Sequence, residues 1–415
     1  MRARIHRGAH EIGGSCVEVE SAAGDRIVLD VGAPLATAEG EEPVLPQVSG
    51  FVEAAPSLHA ILITHGHQDH WGLVDRVLPE VPLYMGEAAH RILKEAAFWV
   101  SGLTREPAAF FHHRVPLHIG AFRVTPLLSD HSAYDAYSLL VEADGRRLFY
   151  TGDIRGHGRK FGIFEELVQK PPLGVDVLLT EGTNIGPEDL DSTPAVTESD
   201  IELTCAELFG AARGLVLALY SAQNIDRMVT LFRAAKRAGR TFVMTLYGAS
   251  IAEATGNPNI PKPGWKEIRV FVPGWQQMRV KQAGAFERVE VVRPYRVYEE
   301  DLASDPSRWV VSFSISMAKR LEMAGCLLGA QAVWSMWPGY LKEERSEVLL
   351  EWLHARHIPL SIQHTSGHAS IPDLQRLAAA MPEARVVPIH SLGGRLFDDV
   401  FDHVEHHPDG EWWDV

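Results

Sequence analysis

Between Thr64 and Gly72 the sequence reads Thr-His-Gly-His-Gln-Asp-His-Trp-Gly, directly after the apolar run His59–Ile63. Three imidazoles and a carboxylate, His65, His67, Asp69 and His70, therefore crowd the end of what reads as a buried strand. Buried polar groups need polar partners, and a cation would supply one to all four. His and carboxylate without thiolate suit zinc or manganese. Alternate residues face opposite ways, so the set can divide between two adjacent ions. The competing reading, a solvated His-rich turn, fits neither the spacing nor the preceding strand. Cys16, Cys205 and Cys326 are widely separated, which excludes a cysteine-built zinc site and a disulfide framework.

The same arrangement, an apolar strand ending in a polar group, recurs at Leu127–His131, Leu148–Asp153, Val177–Glu181 and Val386–His390. Singly, such a His or Asp is an ordinary satisfied residue. Five strand ends together point to a shared cleft, because functional groups gather where strands of a helix-covered sheet end.

Positioning these residues requires sheets. Short Val-, Ile- and Leu-rich runs predict strands at Cys16–Glu20, Arg26–Asp30, His59–Thr64, Ala121–Pro126, Ser138–Glu142, Arg147–Thr151 and Val175–Thr180. The polar stretch Asn184–Ser199, carrying Gly186, Pro187, Ser192 and Pro194, reads as a linker. Helix Thr197–Ala212, strand Leu215–Tyr220, helix Ile225–Ala238 and strand Phe242–Leu246 then follow the βαβ rhythm of a parallel sheet. Strands Arg308–Phe313, Ala332–Met336, Leu360–Gln363 and Arg385–Ile389 continue it, and a helix is expected over Leu392–Val404. The acidic, aromatic tail His403–Val415 carries no readable function. At 415 residues the chain exceeds one usual domain, so an extended domain or a large insertion is expected. With 46% apolar and 22% charged residues, wholesale disorder and coiled coil are excluded. No apolar run reaches the ~18 residues of a membrane span, and no signal core follows the start, so the expected place is the cytoplasm.

The net charge of −15 disfavours a polyanionic partner, but its distribution is uneven. Arg227 to Arg296 holds 13 Lys and Arg against four acids, a local +9 within a remainder of −24. This segment is either a phosphate-attracting surface or an ordinary solvated face.

Thr64–Gly72, His131, Thr151-Gly152-Asp153 and His390 resemble the motifs of the metallo-β-lactamase superfamily. Gly8–Ser15 and Leu29–Gly32 look like its first hairpin. Thr180-Glu181-Gly182-Thr183, Ser366-Gly367-His368 and Pro388-Ile389-His390 are similar to the three signatures of the β-CASP branch, whose members include nucleases such as RNase J. The resemblance implies an α/β fold, an αββα sandwich with an inserted β-CASP α/β domain. The expected divisions are 1–195 and 362–415 for the sandwich and 196–361 for the insertion. It implies two divalent metal ions, zinc or else manganese, with His65, His67 and His131 on one, Asp69, His70 and His390 on the other, and Asp153 bridging. One departure is visible: Ser312–Arg320 lacks the glycines of the RNase J loop at that place.

With two metals activating water and holding a phosphate, Asp69 would orient the water or take its proton. His368 is the candidate acid or phosphate clamp for the leaving oxygen, and Glu181 its orienting carboxylate. Ser366 and Gly367 are candidate substrate contacts. So are Asn224 and Arg227, where a strand runs into a helix and amides could face a phosphate, with a plain N-cap as the competing reading. His364 reads as structural, and His90, His112, His113, His118 and the 403–407 cluster as surface residues. Trp334, Trp337 and Tyr340 are either stacking platforms or core. The expected function is a metal-dependent nuclease acting on RNA or single-stranded DNA, without a membrane, as monomer or homodimer. Two alternatives are a hydrolase of a small ester, lactone or phosphate, and a non-catalytic nucleic-acid-binding subunit.

Overall fold

The computed structural model describes residues 1–35, 42–186 and 195–415. The chain divides into two units. The first comprises Met1–Ala97, Gly102–Ala195 and Gly367–Val415; the second comprises Phe98–Ser101 and Val196–Ser366.

The first unit is built on two sheets. One runs in the order Trp412–Asp414, Arg2–Arg7, Cys16–Glu20, Arg26–Leu29, Leu58–Leu62, Leu83–Gly86, Ala109–Phe111. The other runs Arg385–Ile389, Val177–Glu181, Arg146–Tyr150, Ala136–Ala143, Phe122–Ser129, Leu117–Ile119. Strand periodicity divides their side chains. Ile27, Leu29, Ala60 and Leu62 of the first sheet share one core with Leu139, Val141, Leu148, Tyr150, Val177 and Leu179 of the second. Their neighbours turn outward: Val28, Ile61 and Ile63 pack with Ala89 and Leu93 of helix Glu87–Trp99. On the far side, Leu140, Phe149 and Leu178 pack against Phe164 and Leu167 of helix Phe161–Gln169 and Leu374 and Leu377 of helix Ile371–Ala380. Strands covered on both faces read as continuous apolar runs, which is why they were visible in the sequence. The architecture is an αββα sandwich.

The tail that carried no readable function forms the edge strand of the first sheet, with Ala3 opposite Trp413 and with Trp413 and Val415 buried in the shared core. The expected helix over Leu392–Val404 is instead two short turns, Gly394–Leu396 and Phe397–Val400, from which Phe397 enters the core. Of the expected linker, residues 187–194 lie outside the described residues.

The second unit is a six-stranded, all-parallel sheet in the order Ile268–Phe271, Thr241–Thr245, Trp309–Ser312, Val216–Leu219, Gln331–Trp334, Leu360–Ile362. Helix Glu198–Ala211 opens it with a capping box between Thr197 and Asp200. Helix Ile225–Arg237 is capped by Asn224, whose side chain accepts from the Arg227 amide. Among the described residues no helix is long and apolar enough to cross a membrane.

Candidate metal centre and active site

The candidate ligands all lie in the first unit, at one end of its two sheets. Strand Leu58–Leu62 delivers the turn that carries His65, His67, Asp69 and His70, strand Phe122–Ser129 delivers His131, and strand Arg146–Tyr150 delivers Asp153. Strand Arg385–Ile389 delivers His390. The first turn is clamped by backbone bonds from two other loops: the Ser15 amide donates to the Asp69 carbonyl at 3.0 Å and Val31 to His70 at 2.8 Å. Position 32 must be glycine here, because a Cβ would sit 1.7 Å from the Asp69 carbonyl oxygen.

The result is two overlapping groups. The ligand atoms of His65, His67, His131 and Asp153 lie within 4.8 Å of one another, and so do those of Asp69, His70, Asp153 and His390. Asp153 Oδ2 is 3.6 Å from His65 Nε2, 3.3 Å from His70 Nε2, 4.0 Å from His131 Nε2 and 3.9 Å from His390 Nε2. Donors bound ~2.0–2.1 Å from a tetrahedral ion lie ~3.3 Å from each other, so these separations suit a shared cation. His67 Nδ1 and His131 Nε2 stand 3.1 Å apart.

Hydrogen bonding within the protein leaves this centre unanswered. His65 Nε2, His70 Nε2, His131 Nδ1, His390 Nε2 and both Asp153 carboxylate oxygens are buried and have no hydrogen-bond partner among the described residues. Such atoms are costly unless something else pairs them, and a donor set of imidazole nitrogen and carboxylate oxygen suits a divalent cation. The electrostatics agree. Burial, reinforced by neighbouring imidazoles, holds His65 and His131 well below the ordinary histidine value and keeps them neutral. Burial alone would lower His70 too, but Asp153, Asp30 and Asp69 together raise it well above that value. Asp153, which burial would raise, is held well below the ordinary carboxyl value by His390, His70 and His368.

Surrounding groups fix the rings. Asp30 is fully buried; its Oδ2 accepts from His70 Nδ1 at 2.8 Å, from Tyr150 at 2.8 Å and from Thr64 at 2.8 Å. That bond aims His70 Nε2 at Asp153, as a carboxylate behind a metal-binding imidazole does. His390 Nδ1 lies 3.0 Å from Ser15 Oγ and 3.2 Å from the Gly13 amide. Both Asp30 (φ 60°) and His390 (φ 52°) adopt the left-handed backbone that side chains disfavour, a strain that marks functional strand ends.

His368 stands beside the centre, its Nδ1 3.6 Å from Asp153, 3.5 Å from Glu181 and 3.1 Å from Thr183 Oγ1. Against the effect of burial, Glu181 and Asp153 raise it to about 9. Glu181 is itself locked: its oxygens accept from the amides of Thr183 at 2.9 Å and Ala369 at 3.0 Å. Gly367 packs on the same wall, where a Cβ would meet Ser132 Oγ at 2.7 Å. Asp30, Ser15 and Thr183 lie within recognisable motifs yet carry no sequence signal of their own, because a lone carboxylate or hydroxyl has no spacing to reveal its role.

Other candidates lie elsewhere. Arg227 is buried in the second unit, where it pairs with Glu198 and donates to Ser335 and to the carbonyls of Gln363 and Thr365. Asn224 is the helix cap described above. Many cations of the basic segment are also engaged: Arg233 and Arg237 with Glu202, Lys236 with Glu267, Lys262 with Glu253, Arg293 with Glu290. Trp334 is buried, while Trp337 and Tyr340 are exposed and meet edge to face. His90, expected on the surface, is 3% exposed and its ring bonds the Arg105 carbonyl, because helix Glu87–Trp99 turns that face inward.

Residues 25–216 match the family model of a beta-lactamase superfamily domain. Ribonuclease J of Sinorhizobium meliloti is 24% identical over 229 residues, 52% of this chain and 39% of that protein. Ribonuclease J of Helicobacter pylori is 28% identical over 231 residues, 53% of this chain and 33% of that protein. The chain thus carries a region similar to the beta-lactamase superfamily domain and is similar over about half its length to Ribonuclease J proteins. The matched stretch spans about two fifths or less of these Ribonuclease J proteins. A crystal structure of a protein of unknown function from Enterococcus faecalis V583 shares the fold, with a TM-score of 0.81 over 99% of both chains at 19% identity. Among the described residues, the two His and Asp groups could each hold a divalent metal ion.

Proposed function

We propose that the chain is a binuclear-metal phosphodiesterase that cuts RNA, or single-stranded DNA, in the cytoplasm. The observation that carries this reading is the pair of buried ligand groups sharing Asp153. His65, His67 and His131 would hold one cation and Asp69, His70 and His390 the other, with Asp153 common to both. Two divalent ions, zinc or else manganese, supply Lewis acidity and a water acidic enough to attack near neutral pH.

The chain's own residues would do the rest. Asp69, 3.6 Å from His390 and more exposed than Asp153, would orient the water or accept its proton. His368 would give a proton to the leaving oxygen or clamp the phosphate, with Glu181 and Thr183 fixing its Nδ1 edge. The Ser366–Gly367 turn would contact the phosphate. Relatives named Ribonuclease J favour RNA as the polymer. A second reading, hydrolysis of a small ester, lactone or phosphate, is favoured by the ion pairing that neutralises much of the basic segment.

The test is incubation of zinc- and manganese-loaded protein with 5′- and 3′-labelled RNA and DNA oligonucleotides, with Asp69→Ala as control. Metal-dependent products absent from the control support the nuclease, and their ladder separates internal from terminal cutting. Wild-type cleavage by Asp69→Ala defeats it; turnover of small esters alone transfers the assignment to the second reading.

A further inference from the structure

The loop Gly152–Lys160 reads Gly-Asp-Ile-Arg-Gly-His-Gly-Arg-Lys, and apart from Asp153 none of its side chains enters the roles above. It buries a full guanidinium. Arg155 is 0% exposed, a placement that is expensive unless the charge is answered. Its Nε lies 3.6 Å from Oδ1 of Asp130, an equally buried carboxylate. Main-chain bonds reinforce the contact: the Arg155 amide donates to the Asp130 carbonyl at 2.7 Å, and the Gly158 amide to Asp130 Oδ2 at 2.8 Å. Lys160 Nζ donates to the His131 carbonyl at 3.0 Å and stands 4.0 Å from Asp130 Oδ1. The backbone must pass very close here, since a Cβ at Gly158 would sit 2.3 Å from Asp130 Oδ1 and 2.4 Å from Arg155 Nε.

The placement of this pair matters more than its strength. Asp130 immediately precedes His131, and Arg155 follows Asp153 by two residues. The pair therefore ties together two loops that each bring a donor to the group His65, His67, His131 and Asp153. The other group shares Asp153 but takes its three remaining donors, Asp69, His70 and His390, from segments with no part in the pair. We propose that Asp130, held by Arg155 and with Lys160 on the His131 carbonyl, is a positioning residue that serves the site of His65, His67 and His131 far more than the other, which shares only Asp153 with it. This rests on the metal-centre reading. A buried carboxylate that only stabilised the fold would weaken both sites alike when changed; one that sets the His131 loop weakens chiefly the site that uses His131.

The experiment is Co2+ titration of the full chain, followed by visible absorption, in wild type, Asp130→Asn and Arg155→Lys. Wild type should bind in two steps. In Asp130→Asn one step should weaken about 10–100-fold while the other stays within about twofold, and its absorption should lose intensity as the coordination distorts. Arg155→Lys keeps the charge but not the planar fork, so it should show the same asymmetry in smaller degree even where Asp130→Asn folds poorly. Unchanged steps in both variants, or two steps weakened equally, overturn the proposal. A wild-type protein that takes up no Co2+ overturns the metal-centre reading itself.

Discussion

The metal centre of the first unit and the Arg227 network of the second both bury charge, and they treat it in opposite ways. Around Arg227 each donor has an acceptor: Glu198 takes Nε and one terminal nitrogen, Ser335 and two carbonyls take the remainder, and Thr230 completes Glu198. Around Asp153, six buried nitrogen and oxygen atoms have no hydrogen-bond partner among the described residues. Both regions bury charge; satisfaction separates them. A fully answered buried charge is architecture, whereas a converging set of unanswered donors is a place for a ligand.

The largest expected effect comes from removing the atom both groups share. Asp153→Ala should lose both cations, and with them oligonucleotide cleavage, when metal content and activity are measured together. In wild type, stripping the metal with a chelator should lower stability, by about 2.7 kcal/mol for a cation present at 100 times its Kd. Denaturation midpoints that ignore the chelator would contradict this.

Next in size is the opposite region. Arg227→Ala strands Glu198 in the interior and should cost about 3–5 kcal/mol in denaturant unfolding while metal content stays at the wild-type value. Replacing both partners with apolar residues of similar volume should cost much less. A loss of metal in Arg227→Ala would erase the distinction between the regions.

Glu181→Gln probes the border between them, because Glu181 is well bonded yet holds His368. Cleavage should fall about 10²–10⁴-fold with both metals retained, as expected for a disturbed proton donor. The smallest effect concerns Glu18, a satisfied carboxylate in the first unit. Burial would raise it, but hydrogen bonds from His6 and Arg26 hold it below its ordinary value. Its contribution to stability is therefore present above the unfolded carboxyl pKa of ~4.3 and fades as pH falls through the folded value. Glu18→Gln should flatten the acid limb of the stability curve, by less than the ~1.4 kcal/mol per pH unit that one proton allows, with no change in metal binding.

Much of this site was legible because its donors cluster in sequence, four of them between His65 and His70, and because the rest close apolar runs that are easy to recognise. Five of the six strands of the second unit's parallel sheet were legible for the same reason; Ile268–Phe271 was missed. Strands Leu83–Gly86, Ala109–Phe111 and Leu117–Ile119 were missed, being short and weakly patterned. Trp412–Asp414 was hidden because its pairing with Arg2–Arg7 joins the two ends of the chain. Asp30 and Ser15 fix rings that are distant in sequence, and no local pattern records such a contact. Arg227 shows the converse: a motif resembling a phosphate site folded into an internal ion pair.

If the unanswered donors hold two cations, Asp153 is the residue both depend on. The most direct test is elemental analysis by mass spectrometry of metal-loaded, desalted protein beside Asp153→Ala. The expected result is two zinc or manganese ions per wild-type chain and none in the variant; a wild-type chain that keeps no metal would contradict the assignment of these donors to cations.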